Sequence, residues 1–322
     1  MIEDSVLLND WHPLAKSSDL QEASILPAKL LDEDLVLWRS HGVVKAWQDL
    51  CVHRGTRLSL GHLQDGLLQC AYHGWTYNES GECVIIPAHP EQKPPPTAKV
   101  KIYRCQERYG LIWGCIGEPS REVPTFEEWN DPSFRRVLCG PYHYRASGTR
   151  AVENFLDVAH LPILHAGILG ERAHAEIQDY EVQQNEDGII ARNVRIWQPD
   201  PDGTGVGKDV TYTYMVMRPL SMYLCKDSTE GRFSIYATVR PTSEFESTAW
   251  FWIAMNYGHE IPEEEIIRLQ NQITAQDIPV VESQRPERLP LDLQAELHLR
   301  SDRIAVAYRK WLGRLGLTFG TA

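Results

Sequence analysis

Two short segments constrain this 322-residue chain more than anything else in it. Cys51-Val52-His53 and Cys70-Ala71-Tyr72-His73 are separated only by residues 54–69, and each pairs one thiol with one imidazole. Glycine follows each pair, at Gly55 and Gly74, where it lets the backbone turn tightly and pass close to a bulky group. A fold that honours both segments needs two turns brought face to face, with four soft donors converging on one centre.

Mixed pairs of this kind suit two irons bridged by sulfide, each iron taking two protein ligands. Both imidazoles on one iron and both thiolates on the other define a Rieske [2Fe-2S] centre, which is easier to reduce than an all-thiolate cluster. The rival is a structural Cys₂His₂ zinc site. Zinc fingers pair Cys with Cys and His with His, whereas both half-sites here are mixed, so the sequence favours iron and sulfide. The remaining cysteines, at 83, 105, 115, 139 and 225, read as interior thiols. Seven cysteines make an odd set, which describes no disulfide framework and points to a reducing, cytoplasmic setting.

The surroundings of the motifs are β-rich. Leu35 to Arg39 and Val43 to Trp47 flank Ser40-His41-Gly42 as a hairpin, and short apolar runs punctuated by glycine continue to about residue 118. Pro90 to Pro96 must be an extended loop. Past residue 145 the texture changes to a helix over Thr149–Leu161, strands over 188–198 and 210–258, a helix from Pro262 to about Ser283, and a last helix over Asp302–Leu315. The fold class is therefore α+β. An all-β domain over 1–140, with its cluster core at about 35–118, precedes a second domain over 141–322.

Charge and hydropathy narrow the function classes. The formal net charge of −12 argues against nucleic acid or anionic membrane as a partner. No apolar run approaches the ~20 residues that span a bilayer, and the start from Met1 to Val6 lacks the pattern of a secretion leader.

A second set of donors lies in the later domain. Asn154, Asp157 and His160 recur at helical spacing on one face, Pro162 ends the helix, and His165 can fold back toward His160. Ile266, Leu269, Ile273, Asp277 and Val281 follow helical phase, which puts Asp277 on an apolar stripe. A carboxylate there needs a partner, either a base such as Arg285 or a metal. Together His160, His165 and Asp277 make the two-histidine, one-carboxylate triad of non-haem Fe(II) oxygenases.

In this order the two motifs resemble the oxygenase (alpha) component of Rieske non-haem iron oxygenases, over nearly the whole chain from Asn9-Asp10-Trp11-His12 to the C-terminal helix. The length resembles the monooxygenase branch that includes vanillate and dicamba O-demethylases. Leu35 to His41, Pro87-Ala88-His89-Pro90, Cys105 to Leu111, His165 to Gly170, Ser301-Asp302-Arg303 and Ala307-Tyr308-Arg309 are similar to saxitoxin-pathway hydroxylases.

The resemblance implies an N-terminal Rieske domain and a helix-grip-like catalytic domain, an antiparallel sheet with helices. Cys51, His53, Cys70 and His73 would hold the cluster, and His160, His165 and Asp277 the mononuclear Fe(II). Asp157 would bridge to a Rieske histidine of a neighbouring subunit in a head-to-tail homotrimer, with Asn154 on the same helix. Electrons would come from a separate NAD(P)H-dependent reductase, with or without a ferredoxin. They would cross through His73 and Asp157, and one atom of O₂ would enter a C–H bond of a small, nitrogen-rich polycyclic or heteroaromatic molecule.

Attack at an O- or N-methyl carbon would give demethylation instead. More distant alternatives are an iron–sulfur electron carrier without oxygenase activity and a zinc-stapled binding protein. Tyr214, Met215, Met217, Tyr223, Trp252 and Met255 come from strands that line the pocket in the resembling family, and Tyr212, Tyr236 and Trp250 lie on the same strands. Gly203 to Lys208 is glycine-rich without nucleotide-binding spacing, and reads as a loop over the pocket or a hairpin turn.

Overall fold

The computed structural model describes residues 3–201, 203–228 and 230–322; Met1 and Ile2, which open the segment read for a leader, lie outside them. The chain divides into two compact units, Met1–Val123 and Pro124–Ala322.

The first unit opens with the short α1 (Ser5–Leu8) and then holds only strands and single turns. These are β1 (His12–Lys16), β2 (Ile25–Leu30), β3 (Glu33–Ser40), β4 (Val43–Gln48), β5 (His62–Gln64), β6 (Leu67–Gln69), β7 (Thr76–Tyr77), β8 (Cys83–Ile85), β9 (Ile102–Arg108) and β10 (Leu111–Cys115). They form a six-stranded sheet in the order β1-β10-β9-β4-β3-β2 and a four-stranded sheet β5-β6-β7-β8. The β3–β4 hairpin turns at His41 (φ 53°) and Gly42 (φ 74°), the left-handed pair that a two-residue hairpin requires. Val36, Trp38, Trp47, Leu58, Leu68 and Tyr77 pack the core behind the motif loops.

The second unit is built on one antiparallel seven-stranded sheet. Its strands are β11 (Arg135–Tyr144), β12 (Glu181–Asn185), β13 (Gly188–Gln198), β14 (Lys208–Arg218), β15 (Ser221–Asp227), β16 (Arg232–Ser243) and β17 (Glu246–Met255), in the order β11-β17-β16-β15-β14-β13-β12. Four helices complete it: α2 (Gly148–Leu156), α3 (Leu161–Leu164), α4 (Glu263–Ser283) and α5 (Arg303–Leu315). α5 ends on Gly316 at φ 75°, the left-handed cap expected of glycine there. The units divide at Val123/Pro124, and β11, which a boundary at 140/141 would cut, pairs with β17 along residues 135–144.

Two helical expectations are corrected. α2 stops at Leu156, so Asn154, Asp157 and His160 do not share one continuous helix. The Asp157 carboxylate accepts the Ala159 N–H at 2.8 Å, and this local bond replaces the next helical turn and leaves His160 as the N-cap of α3. On α4 the buried face is Ile266, Gln270, Thr274, Asp277 and Val281, whereas Leu269 is half exposed. That face is more polar than the sequence stripe suggested.

Candidate metal centres and substrate cavity

The two motif loops of the first unit are built alike. In one, Cys51 N donates to Thr56 O and Gly55 N donates to Cys51 O; in the other, Cys70 N donates to Trp75 O and Gly74 N donates to Cys70 O. Both glycines take positive φ, 72° and 68°. A Cβ on Gly74 would also come within 2.9 Å of Pro87, so both the turn and the packing demand glycine. Cys51 and Cys70 are each 2% exposed and neither is in a disulfide. Burial raises the Cys70 thiol above its ordinary value, so an ionised sulfur here needs a cation.

The imidazoles of His53 and His73 meet edge to face at 4.6 Å, and His53 stacks on Trp75 at 4.4 Å. His53 Nδ1 is buried with no hydrogen-bond partner, the state expected of a nitrogen kept for a metal. The Tyr77 hydroxyl stands 3.1 Å from Cys51 Sγ, where it donates once the sulfur is ionised. Two thiols and two imidazoles, one of each on either loop, are the donor set of a binuclear centre with two protein ligands per iron. His160, His165 and Asp277 offer a more compact set, with donor atoms within 4.8 Å of one another.

That compact group is the second candidate centre. His165 Nε2 lies 3.0 Å from Asp277 Oδ1, His160 Nε2 lies 3.6 Å from the same oxygen, and the two imidazoles are 5.0 Å apart. Gln276 Oε1 sits 2.7 Å from His165 Nδ1, which places the proton on Nδ1 and turns the Nε2 lone pair toward Asp277. Asn154 Nδ2 donates to Asp277 Oδ1 at 3.4 Å, and Asp157 Oδ2 stands 3.5 Å from His160 Nδ1. Arg285, the alternative partner for Asp277, pairs with Glu287 instead. Burial works against a charged His165, but the contacts with Asp277 and Gln276 leave its pKa raised.

The triad lines a cavity of about 460 Å³ in the second unit. Its wall is mostly apolar, with Phe155, Leu224, Ile235, Phe251, Ile253 and Ile266 among the lining residues. Phe155 meets Tyr214 edge-on at 6.1 Å and stacks near Phe251 at 6.2 Å. Of the aromatic and Met residues expected there, Tyr212, Tyr214 and Met255 line the cavity.

Met215, Met217, Tyr223 and Trp252 do not, nor do Tyr236 and Trp250. Alternation turns them to the sheet's other face, where the Tyr223 hydroxyl donates to Glu128 and Trp252 packs edge-on to Tyr236 at 5.7 Å. Tyr144, Gln198, Lys226 and Gln276 belong to the site and were missed. No periodic signal distinguishes them, because a polar residue on a strand, or on a helix as for Gln276, reads as solvent-facing until the sheet and helices are assembled.

Two loops that carry two buried thiols and two imidazoles, together with a two-histidine, one-carboxylate pocket, define an iron–sulfur oxygenase. The chain belongs to the Rieske-type oxygenases: residues 10–104 match the Rieske [2Fe-2S] domain and residues 144–317 the vanillate O-demethylase oxygenase C-terminal domain. It is an oxidoreductase that uses O₂, with a Rieske cluster and a mononuclear iron as cofactors.

Among individual proteins, it is 31% identical to methylxanthine N1-demethylase NdmA of Pseudomonas putida, over 97% of this chain and 90% of that one. The structure of NdmA with caffeine superposes with a TM-score of 0.83 at 30% identity, covering 96% and 90% of the two chains. Dicamba monooxygenase bound to dicamba gives 0.78 at 25% identity, covering 96% and 97%. Oxidoreductase NdmD of P. putida is 40% identical over 117 residues, 36% of this chain and 20% of that protein. No helix among the described residues is long and apolar enough to cross a membrane.

Proposed function

We propose that this chain hydroxylates one carbon of a small, planar, nitrogen-rich heteroaromatic molecule, and that attack on an N- or O-methyl carbon makes the outcome a demethylation. The observation that carries this reading is the set of His160, His165 and Asp277 on the wall of a mostly apolar cavity of about 460 Å³. That volume suits a ligand of one or two fused rings. Support also comes from relatives whose names specify methylxanthine N-demethylation and from an NdmA structure with caffeine.

In this reading Cys51, His53, Cys70 and His73 hold the cluster, and His160, His165 and Asp277 hold the iron. The two groups supply single electrons and the activation of O₂. The chain's own residues do the rest. Gln276 keeps His165 in the ligating tautomer, and Asn154 holds Asp277. Phe155, Phe251 and Tyr214 offer flat apolar surface to a ring. The balance is a methyl group, O₂, two electrons and two protons giving a hydroxymethyl group and water. On nitrogen the hydroxymethyl then leaves as formaldehyde, and the ring regains N–H.

Electrons come from a separate NAD(P)H-dependent reductase, with or without a ferredoxin. The assembly is a head-to-tail homotrimer in which Asp157 of one subunit receives His73 of the next. His73 is exposed and the Asp157 side chain keeps 40% of its surface, so both are reachable. Seven free thiols fit a cytoplasmic setting.

Metal and sulfide analysis with an absorption spectrum tests the site assignment. Wild type should hold about three irons and two sulfides per chain, and Asp277→Ala about one iron less. Two irons in both proteins would leave an electron carrier. Formaldehyde released from caffeine under O₂ would identify demethylation; a hydroxylated product that keeps every methyl group would identify hydroxylation.

A further inference from the structure

Most polar groups on the cavity wall are engaged by the protein itself. Asn154 donates to Asp277, Gln270 to Thr274, Tyr212 to Gln198 and Lys226 to the Pro201 carbonyl. Asp200, Glu265 and Arg268 lie in the exposed part of the lining. Tyr144 and Tyr214 differ. Both line the cavity, at 4% and 3% exposure, and among the described residues neither hydroxyl has a hydrogen-bond partner.

The two come from distant strands. Tyr144 ends β11, paired with Ser247 of β17, and Tyr214 lies in β14, paired with Leu224 of β15. Three strands, β17, β16 and β15, separate β11 from β14, so the two side chains belong to different walls of the cavity. Both stand near the second centre. Burial raises the Tyr144 pKa and Asp277 raises it further; burial raises that of Tyr214, with Tyr212 and then Asp157 adding to it. Both phenols therefore keep their protons and stand as donors.

A buried hydroxyl without a partner is costly, and such groups are rare in folded proteins. On the same wall Phe155, Phe233 and Phe251 fill space without one, so packing does not call for either hydroxyl. Their partners have to come from what the cavity holds.

Resting on the heteroaromatic reading above, we propose that the Tyr144 and Tyr214 hydroxyls donate to two carbonyl oxygens set apart on the substrate's ring. A planar ring held at two points can neither slide nor turn in its own plane. The pair thus fixes which carbon faces His160, His165 and Asp277, and it selects fused rings with two carbonyls over rings with one.

The test is a calorimetric titration of the iron-loaded, full-length holoenzyme, without reductant, using 7-methylxanthine and 7-methylhypoxanthine, which differ by one ring carbonyl. Wild type should bind the xanthine roughly five- to tenfold more tightly, the worth of one further hydrogen bond. One of Tyr144→Phe and Tyr214→Phe should bring that ratio close to unity. The other should weaken both ligands by a similar factor, because it loses the bond to the carbonyl they share. Neither change takes a hydrogen bond from the protein, so thermal unfolding should match wild type. Tyr144→Met and Tyr214→Met serve if a Phe variant does not fold.

No preference in wild type, or both variants keeping the wild-type ratio and affinities, overturns the pair while leaving the heteroaromatic reading in place. An unchanged ratio with weaker binding of nitric oxide at Fe(II) also overturns it, since the hydroxyls would then serve the iron's own ligand. A lower unfolding temperature with both ratios unchanged marks hydroxyls held by the protein and overturns it as well. Wild type that binds neither ring overturns both readings.

Discussion

At the scale of single residues, the iron site depends on an amide that never needs to touch the metal. His165 lies between Gln276 and Asp277, which are adjacent on α4 and approach its two ring nitrogens at 2.7 and 3.0 Å. With Nδ1 committed to Gln276, only Nε2 is left to ligate. Gln276→Leu removes the acceptor and frees the tautomer. The expected result is a roughly 10- to 100-fold loss of Fe(II) affinity in competition with a chelator, the usual effect of removing such a partner. Gln276→Glu, which keeps an acceptor, should lose far less. The cluster absorption should not change, since its ligands belong to the other unit.

At the scale of elements, α2 is the part that must be held still. It carries Asn154 and is capped at its end by Asp157, and the residue before Asn154 anchors it. Glu153 accepts a two-point bond from Arg309 of α5 at 2.6 and 2.8 Å and a third from Arg150 at 3.2 Å, while Glu296 accepts from both arginines. The Arg150 and Arg309 side chains are almost wholly buried. Removing one partner leaves buried charge uncompensated. Glu153→Gln should cost about 3 kcal/mol, the low end for a buried pair because Glu296 remains. The measurement is denaturant unfolding followed by tryptophan fluorescence, and iron should be lost from the second centre before the cluster bleaches.

At the scale of the whole molecule, the prediction concerns traffic between subunits. A chain with a dead cluster, Cys70→Ser, and a chain with a dead iron site, Asp277→Ala, should each be inactive. Co-expressed and purified as mixed assemblies, they should regain substrate oxidation, because an intact cluster can serve the intact iron of its neighbour. Mixed assemblies as inactive as the two parents would show that electrons stay within one subunit and would remove the role given to Asp157. The same preparation gives the oligomeric state by light scattering, where a trimer is expected.

The sequence by itself determined the β-then-mixed order of the chain, the hairpin at His41-Gly42, the extents of α4 and α5 to within a residue and the glycine that ends α5, and it singled out the two sets of candidate ligands. These are local matters: donor spacing, glycine at positive φ, and helical phase all act within a few residues. Only the tertiary structure decided which face of the sheet became the cavity. β17 is buried on both faces along nearly its whole length, so alternation carries no phase, and Trp252 and Ile253 read alike until helices cover one side and residues 124–136 the other. It also decided that α2 stops short of His160, because the Asp157 carboxylate competes for the next N–H. Gln276 and Lys226 escaped notice for a related reason: a polar side chain shows no pattern of its own, and its partners come from segments 25 to 111 residues away.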